Sequence, residues 1–133
     1  MGGVMSREII QTELAPAAIG PYSQGVRANG LIFFSGQIPI NPADGAVVRG
    51  DIAIQTELVM NNIEGVLTAA GITFQDIVKT TIFLTDLADF SVVNEIYGRR
   101  FSALPPARST VEVKALPKGV DIEIEVIALD APH

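Results

Sequence analysis

Two short segments carry large apolar residues at consecutive positions: Ile32-Phe33-Phe34 and Ile82-Phe83-Leu84. Successive residues of a strand face opposite sides of its sheet. A strand with this pattern is therefore dry on both faces, and something must cover each side.

The remaining pattern supplies cover for one side only. Asn29-Gly30 lies between two strand-like runs, a strong hairpin signal. Over residues 52–70 the apolar period becomes helical, with Leu58, Val59, Ile63, Val66, Leu67 and Ala70 in one stripe. Gln55, Glu57, Asn61, Asn62 and Glu64 fall mostly outside it, and Gly71 suits the position just past the helix. Residues 77–85 are rich in β-branched side chains and predict a strand. Asp89 is the expected N-cap of a second helix with Phe90, Val93, Tyr97 and Phe101 at helical spacing, ended by Pro105-Pro106. Residues 107–113 and 120–129 are the last two strands, and the loops run over 15–25 and 41–50. The expected fold is an α/β two-layer sandwich, a mixed sheet of about six strands with two helices on one face. Two helices cannot cover the other face, so the pattern predicts that further copies of the chain pack there, as in a closed ring.

The chain is expected to form one domain over residues 1–133. It has no cysteine, which excludes disulfides and thiolate chemistry. Its single histidine is the final residue, His133, so no histidine triad is available. The acidic residues lack calcium-loop spacing, and neither common phosphate loop occurs. No cofactor or metal is expected. No run approaches the ~20 apolar residues of a membrane span, and residues 1–8 do not resemble a secretory signal; the expectation is a cytoplasmic protein. A net charge of −6, with Arg99-Arg100 the one adjacent basic pair, argues against nucleic-acid binding.

Strand parity sorts the candidate chemical groups. Arg108, Thr110 and Glu112 share one face of their strand; Glu123 and Glu125 share a face with Ile127 and Leu129. Arg108 reads equally as a structural ion pair with Glu123 or Glu112, or as a guanidinium fork for a ligand carboxylate. Glu123 reads either as an ordinary strand carboxylate or as a general acid/base. Tyr22, Ser35 and Asn94 carry weaker signals, each compatible with a local structural role.

The stretch Pro106-Ala107-Arg108-Ser109-Thr110-Val111-Glu112-Val113, followed by Leu116-Pro117 and Ile122-Glu123-Ile124, resembles the RidA/YjgF family of reactive intermediate deaminases. So do Ala15-Pro16-Ala17-Ala18-Ile19-Gly20-Pro21-Tyr22-Ser23-Gln24-Gly25, Ser35-Gly36-Gln37-Ile38-Pro39, Asn61-Asn62-Ile63 and Asp76-Ile77-Val78-Lys79-Thr80-Thr81, in the same order. Residues 1–4 look like an extension beyond the match. The resemblance implies a chorismate-mutase-like fold and a homotrimer with sites between subunits. It implies hydrolysis of enamines and imines such as 2-aminoacrylate and 2-aminocrotonate to 2-keto acids and ammonia. It assigns Arg108 to the substrate carboxylate and Glu123 to water activation. Tyr22, Ser35 and Gly36 would line the cleft from a neighbouring subunit, with Asn94 close by. Thr110 stands where the family often has cysteine, and its backbone would still meet the substrate. Alternatives are a carboxylate-sensing regulator without catalysis, and a chaperone-like or endoribonuclease role.

Overall fold

The computed structural model describes residues 6–131. It contains one six-stranded mixed sheet: β1 (Glu8–Ile10), β2 (Gly25–Ala28), β3 (Leu31–Gln37), β4 (Ile77–Leu84), β5 (Ala107–Glu112) and β6 (Ile122–Leu129). The helices are α1 (Ile52–Ala70) and α2 (Phe90–Gly98). The strand order is β1-β2-β3-β6-β4-β5, antiparallel throughout except for the parallel pair β4–β5. The expected sandwich is thus present. The short β1 at one edge is the strand that sequence pattern did not locate.

The local signals explain the elements. Asn29 (φ 53°) and Gly30 (φ 82°) make the two-residue turn of the β2–β3 hairpin, whose left-handed geometry matches strand twist. Asp51 opens α1 by accepting from the Ala53 and Ile54 amides, and Gly71 closes it in the left-handed conformation. The core lies between the helices and the sheet. It is built from Val59, Ile63, Val66 and Leu67 of α1 against Ile32, Ile82, Leu84, Ile122 and Ile124.

Three expectations need correction. Gln55 and Asn62 are buried, not solvated. Each is satisfied: Gln55 exchanges hydrogen bonds with Asp121, and the Asn62 amide donates to the Ile40 carbonyl (2.8 Å), tying α1 to the loops at its flank. Asp89 does not cap α2; it is itself helical in backbone and makes no side-chain cap bond. The side-chain cap is made earlier, where Asp86 accepts from the Ala88 amide of a single 3-10 turn. Finally, α2 ends at Gly98, well before the prolines. There the Arg99, Arg100 and Phe101 amides bond three residues back, and this tighter winding turns Phe101 onto Tyr97 (ring centroids 4.8 Å) and Phe74 (5.7 Å).

The face away from the helices is uncovered in the single chain. Phe33 is 45% exposed, and Val111 and Leu129 are exposed as well. His133 and residues 1–4 lie outside the described residues.

Candidate functional site

Arg108 sits on edge strand β5, paired in register with Thr80 of β4. Thr80 is buried beneath α2, so Arg108 lies on the helix side of the sheet. There one face of α2 meets it. Asn94 Oδ1 accepts a hydrogen bond from Arg108 Nη1 at 2.7 Å. The guanidinium carbon lies 5.3 Å from the Phe90 ring centroid and 5.1 Å from that of Tyr97, within cation–π range. Residues 90, 94 and 97 are spaced to fall on one helical face. Neither Glu123 nor Glu112 pairs with Arg108: among the described residues no carboxylate lies within 4 Å of it. Glu112 instead accepts from the Leu87 amide at 2.9 Å. The ion-pair reading of Arg108 is therefore set aside. One of five guanidinium N–H groups is committed to Asn94, and the others remain for a planar anion.

Glu123 lies on the opposite face. It pairs in register with Phe83, between the buried Ile122 and Ile124 that face the helices. Its half-buried carboxyl rests directly on Gly36, where an added Cβ would fall 2.0 Å from Oε2. Burial, and secondarily the charge of Glu125, raise its pKa above the usual carboxylate value. Tyr22, Ser35, Gly36 and Glu123 line one cleft of about 450 Å³, together with Ile19, Ile38 and Lys118. Ser35 is partly committed, since its hydroxyl donates to the Ser23 carbonyl at 2.6 Å; toward a ligand it can act only as an acceptor.

The predicted residues therefore fall into two separate groups. Arg108 and Asn94 line one hollow with Tyr97, Phe101 and Pro106; the cleft of Glu123, Tyr22, Ser35 and Gly36 shares no lining residue with it. Thr110 lines neither, and its buried hydroxyl has no hydrogen-bond partner among the described residues. Its backbone is better placed. The Val113 amide donates to the Leu84 carbonyl of β4, so by alternation the amides of Arg108 and Thr110 point outward along the free edge.

Sequence reasoning missed Phe90 and Tyr97 as parts of the arginine site. Their spacing about Asn94 was the available signal, but both read as core. It also missed Gln24, whose buried amide holds the Thr12 amide (2.7 Å) and the Thr12 and Pro16 carbonyls, and so fixes the segment that leads to Tyr22. Among the described residues no group of three His, Asp or Glu could hold a metal ion, and no helix is long and apolar enough to cross a membrane.

Residues 12–130 match the family model described as Endoribonuclease L-PSP. The chain belongs to the RidA/YjgF family. Protein DfrA of Myxococcus xanthus is 53% identical over 127 residues, covering 94% of this chain and 97% of that protein. The human 2-iminobutanoate/2-iminopropanoate deaminase is 46% identical over 126 residues, covering 95% and 92%. The crystal structure of Escherichia coli TdcF with bound serine superposes with a TM-score of 0.87 at 46% identity, covering 92% of this chain and 98% of that one. A RidA-type function follows at this level.

Proposed function

We propose that the protein hydrolyses 2-enamine and 2-imine acids to 2-keto acids and ammonia, at sites built between copies of the chain in a homotrimer. The observation that carries this reading is Arg108 itself: a guanidinium held by Asn94, Phe90 and Tyr97 with no carboxylate partner among the described residues. Such a group is prepared for an anion from outside the chain, and a carboxylate fits its fork. The deaminase name of the human relative and the serine bound to TdcF support a small amino-acid-like ligand.

Geometry within one copy supports the two-copy arrangement. Arg108 and Glu123 occupy opposite faces of one sheet, so a single copy cannot bring both to one small substrate. A second copy packed on the uncovered apolar face would present its Tyr22, Gly36 and Glu123 cleft to the Arg108 edge of the first.

The chemistry balances without further groups. The enamine takes a proton on carbon and gives one up from nitrogen to become the imine. Glu123 as carboxylate accepts a proton from water as the oxygen bonds to the imine carbon, and passes it to the imine nitrogen to give the carbinolamine. Glu123 then takes the carbinolamine hydroxyl proton and delivers it to nitrogen as the carbon–nitrogen bond breaks and the carbonyl forms. One water is consumed, and one ammonia and one keto acid are released. General acid/base action of this kind contributes about 10²–10⁴-fold.

The endoribonuclease reading draws on the family model's description. Charge weighs against it: Arg99 pairs with Glu57 and Glu95, and Arg100 with Glu64, so the one adjacent basic pair is already neutralised.

The test is ammonia release when a dehydratase generates 2-aminoacrylate beside the protein. Arg108→Ala and Glu123→Gln are each expected to be inactive alone. Co-expressed, they should regain activity in about one quarter of interfaces, where an intact arginine meets an intact glutamate. Wild-type turnover by Arg108→Ala sinks the reaction; failure of the mixture to regain activity sinks the two-copy site.

A further inference from the structure

Tyr97 reads at first as a core residue of α2. It is buried, its hydroxyl lies 2.8 Å from Thr80 Oγ1, and its ring packs on Phe101. A buried tyrosine hydroxyl normally finds such a partner. Two features exceed packing. Thr80 is the residue in register with Arg108 on the neighbouring strand, and the ring it tethers stands 5.1 Å from the Arg108 guanidinium carbon. One strand pair therefore carries both the anchor arginine and the hydroxyl that orients the ring beside it.

We infer that Tyr97, held by its hydrogen bond to Thr80, is a positioning residue that fixes the Arg108 guanidinium for an incoming carboxylate. The inference rests on the reading of Arg108 as the carboxylate anchor. The logic is conformational. Arginine has many rotamers, and each one lost on binding weakens the complex. Asn94 restrains one edge through Nη1. The rings of Tyr97 and Phe90 restrain the guanidinium plane, leaving its uncommitted N–H groups available. Phe90 has no hydroxyl to orient it, whereas the Tyr97 ring is tied at its far end to β4. Releasing that tie lets the ring tilt and the guanidinium wander without removing any group that touches ligand.

The experiment compares Thr80→Val, which keeps shape and removes the hydroxyl, with Tyr97→Phe, which removes the other half of the bond. Thr80→Ser restores it. The readouts are the Kd for 2-oxobutanoate by calorimetry, and kcat and KM in the dehydratase-coupled assay. Each deletion should raise Kd and KM by about 3–10-fold, the range expected for a misdirected cation–π contact. The same deletions should leave kcat within about twofold, because the reacting atoms are untouched. The double variant should be no worse than either single one, and Thr80→Ser should return most of the affinity.

Folded Thr80→Val and Tyr97→Phe with wild-type Kd and KM would overturn the inference and return Tyr97 to packing alone. If either variant fails to fold, the wild-type Arg108 Nε–Hε resonance decides. A resolved, ring-shifted signal in the ligand-free protein supports positioning, and a solvent-averaged one refutes it. Failure of the underlying reading looks different: 2-oxobutanoate would then bind Arg108→Ala as tightly as wild type.

Discussion

Replacing Gly36 by alanine would separate the geometry of Glu123 from the stability of the fold. Gly36 lies where the β3–β6 register shifts, but its φ is not positive, so the reason for glycine there is room. A Cβ would meet Glu123 Oε2 at 2.0 Å, Cδ at 2.8 Å and Cγ at 3.0 Å. Bringing Oε2 to ordinary contact at 3.4 Å requires a shift of about 1.4 Å, beyond any relaxation within one rotamer. The carboxyl must leave its place on β3. A misplacement of about 1 Å in a reacting group costs on the order of 10²-fold, which corresponds to ~2.7 kcal/mol of lost transition-state stabilisation. The fold should hardly notice. The clash is with the end of a flexible side chain, and alanine in a strand recovers roughly 0.5–1 kcal/mol of backbone entropy relative to glycine. The expected signature is therefore a fall in kcat of about 100-fold with unfolding free energy within ~1 kcal/mol of wild type. Binding of 2-oxobutanoate should persist, because the added methyl meets Glu123 and leaves the Arg108 anchor untouched. Stopped-assay ammonia release, urea unfolding and calorimetry measure the three quantities. Full turnover by a folded Gly36→Ala protein would refute the assignment of the reacting carboxyl to this position.

Two further outcomes follow from the same geometry. Glu125→Gln removes the like charge that raises the Glu123 pKa, while the larger effect of burial stays. A base must lose its proton to act, so the acidic limb of the kcat profile should move to lower pH; an unmoved or upward-shifted limb would contradict the coupling. Gln24→Ala strips the buried clasp from Thr12 and Pro16, and leaving such groups unpaired should cost about 1–3 kcal/mol in urea unfolding; a cost near zero would mean the segment before Tyr22 is held by other means.

The fold and the site differed in how far pattern alone could reach. The hairpin at Asn29-Gly30 and the helix closed by Gly71 depend on conformations of one or two residues and on apolar period, so a linear reading finds them. The end of α2 depends on where Phe101 finds aromatic partners, Tyr97 beside it and Phe74 from a distant part of the chain. Nothing in residues 98–106 announces it. Gln55 and Asn62 break the period because their burial is repaid by Asp121 and Ile40, each more than twenty residues away.

Parity within a single strand determined that Arg108, Thr110 and Glu112 share a face, and that Glu123 shares one with Glu125. Local alternation requires this whatever the rest of the chain does. Only the tertiary structure decided how the two faces relate. Thr80 pairs in parallel with Arg108 and Phe83 antiparallel with Glu123, which sends the arginine to the helices and the glutamate to the uncovered side. Register between strands far apart in sequence is set by the packing of the whole sheet, and a one-residue slip would exchange the faces. The consecutive apolar residues Ile32-Phe33-Phe34 marked both faces as dry. The assembled sheet made clear that α1 and α2 cover one, and that the other lies open beside the Glu123 cleft.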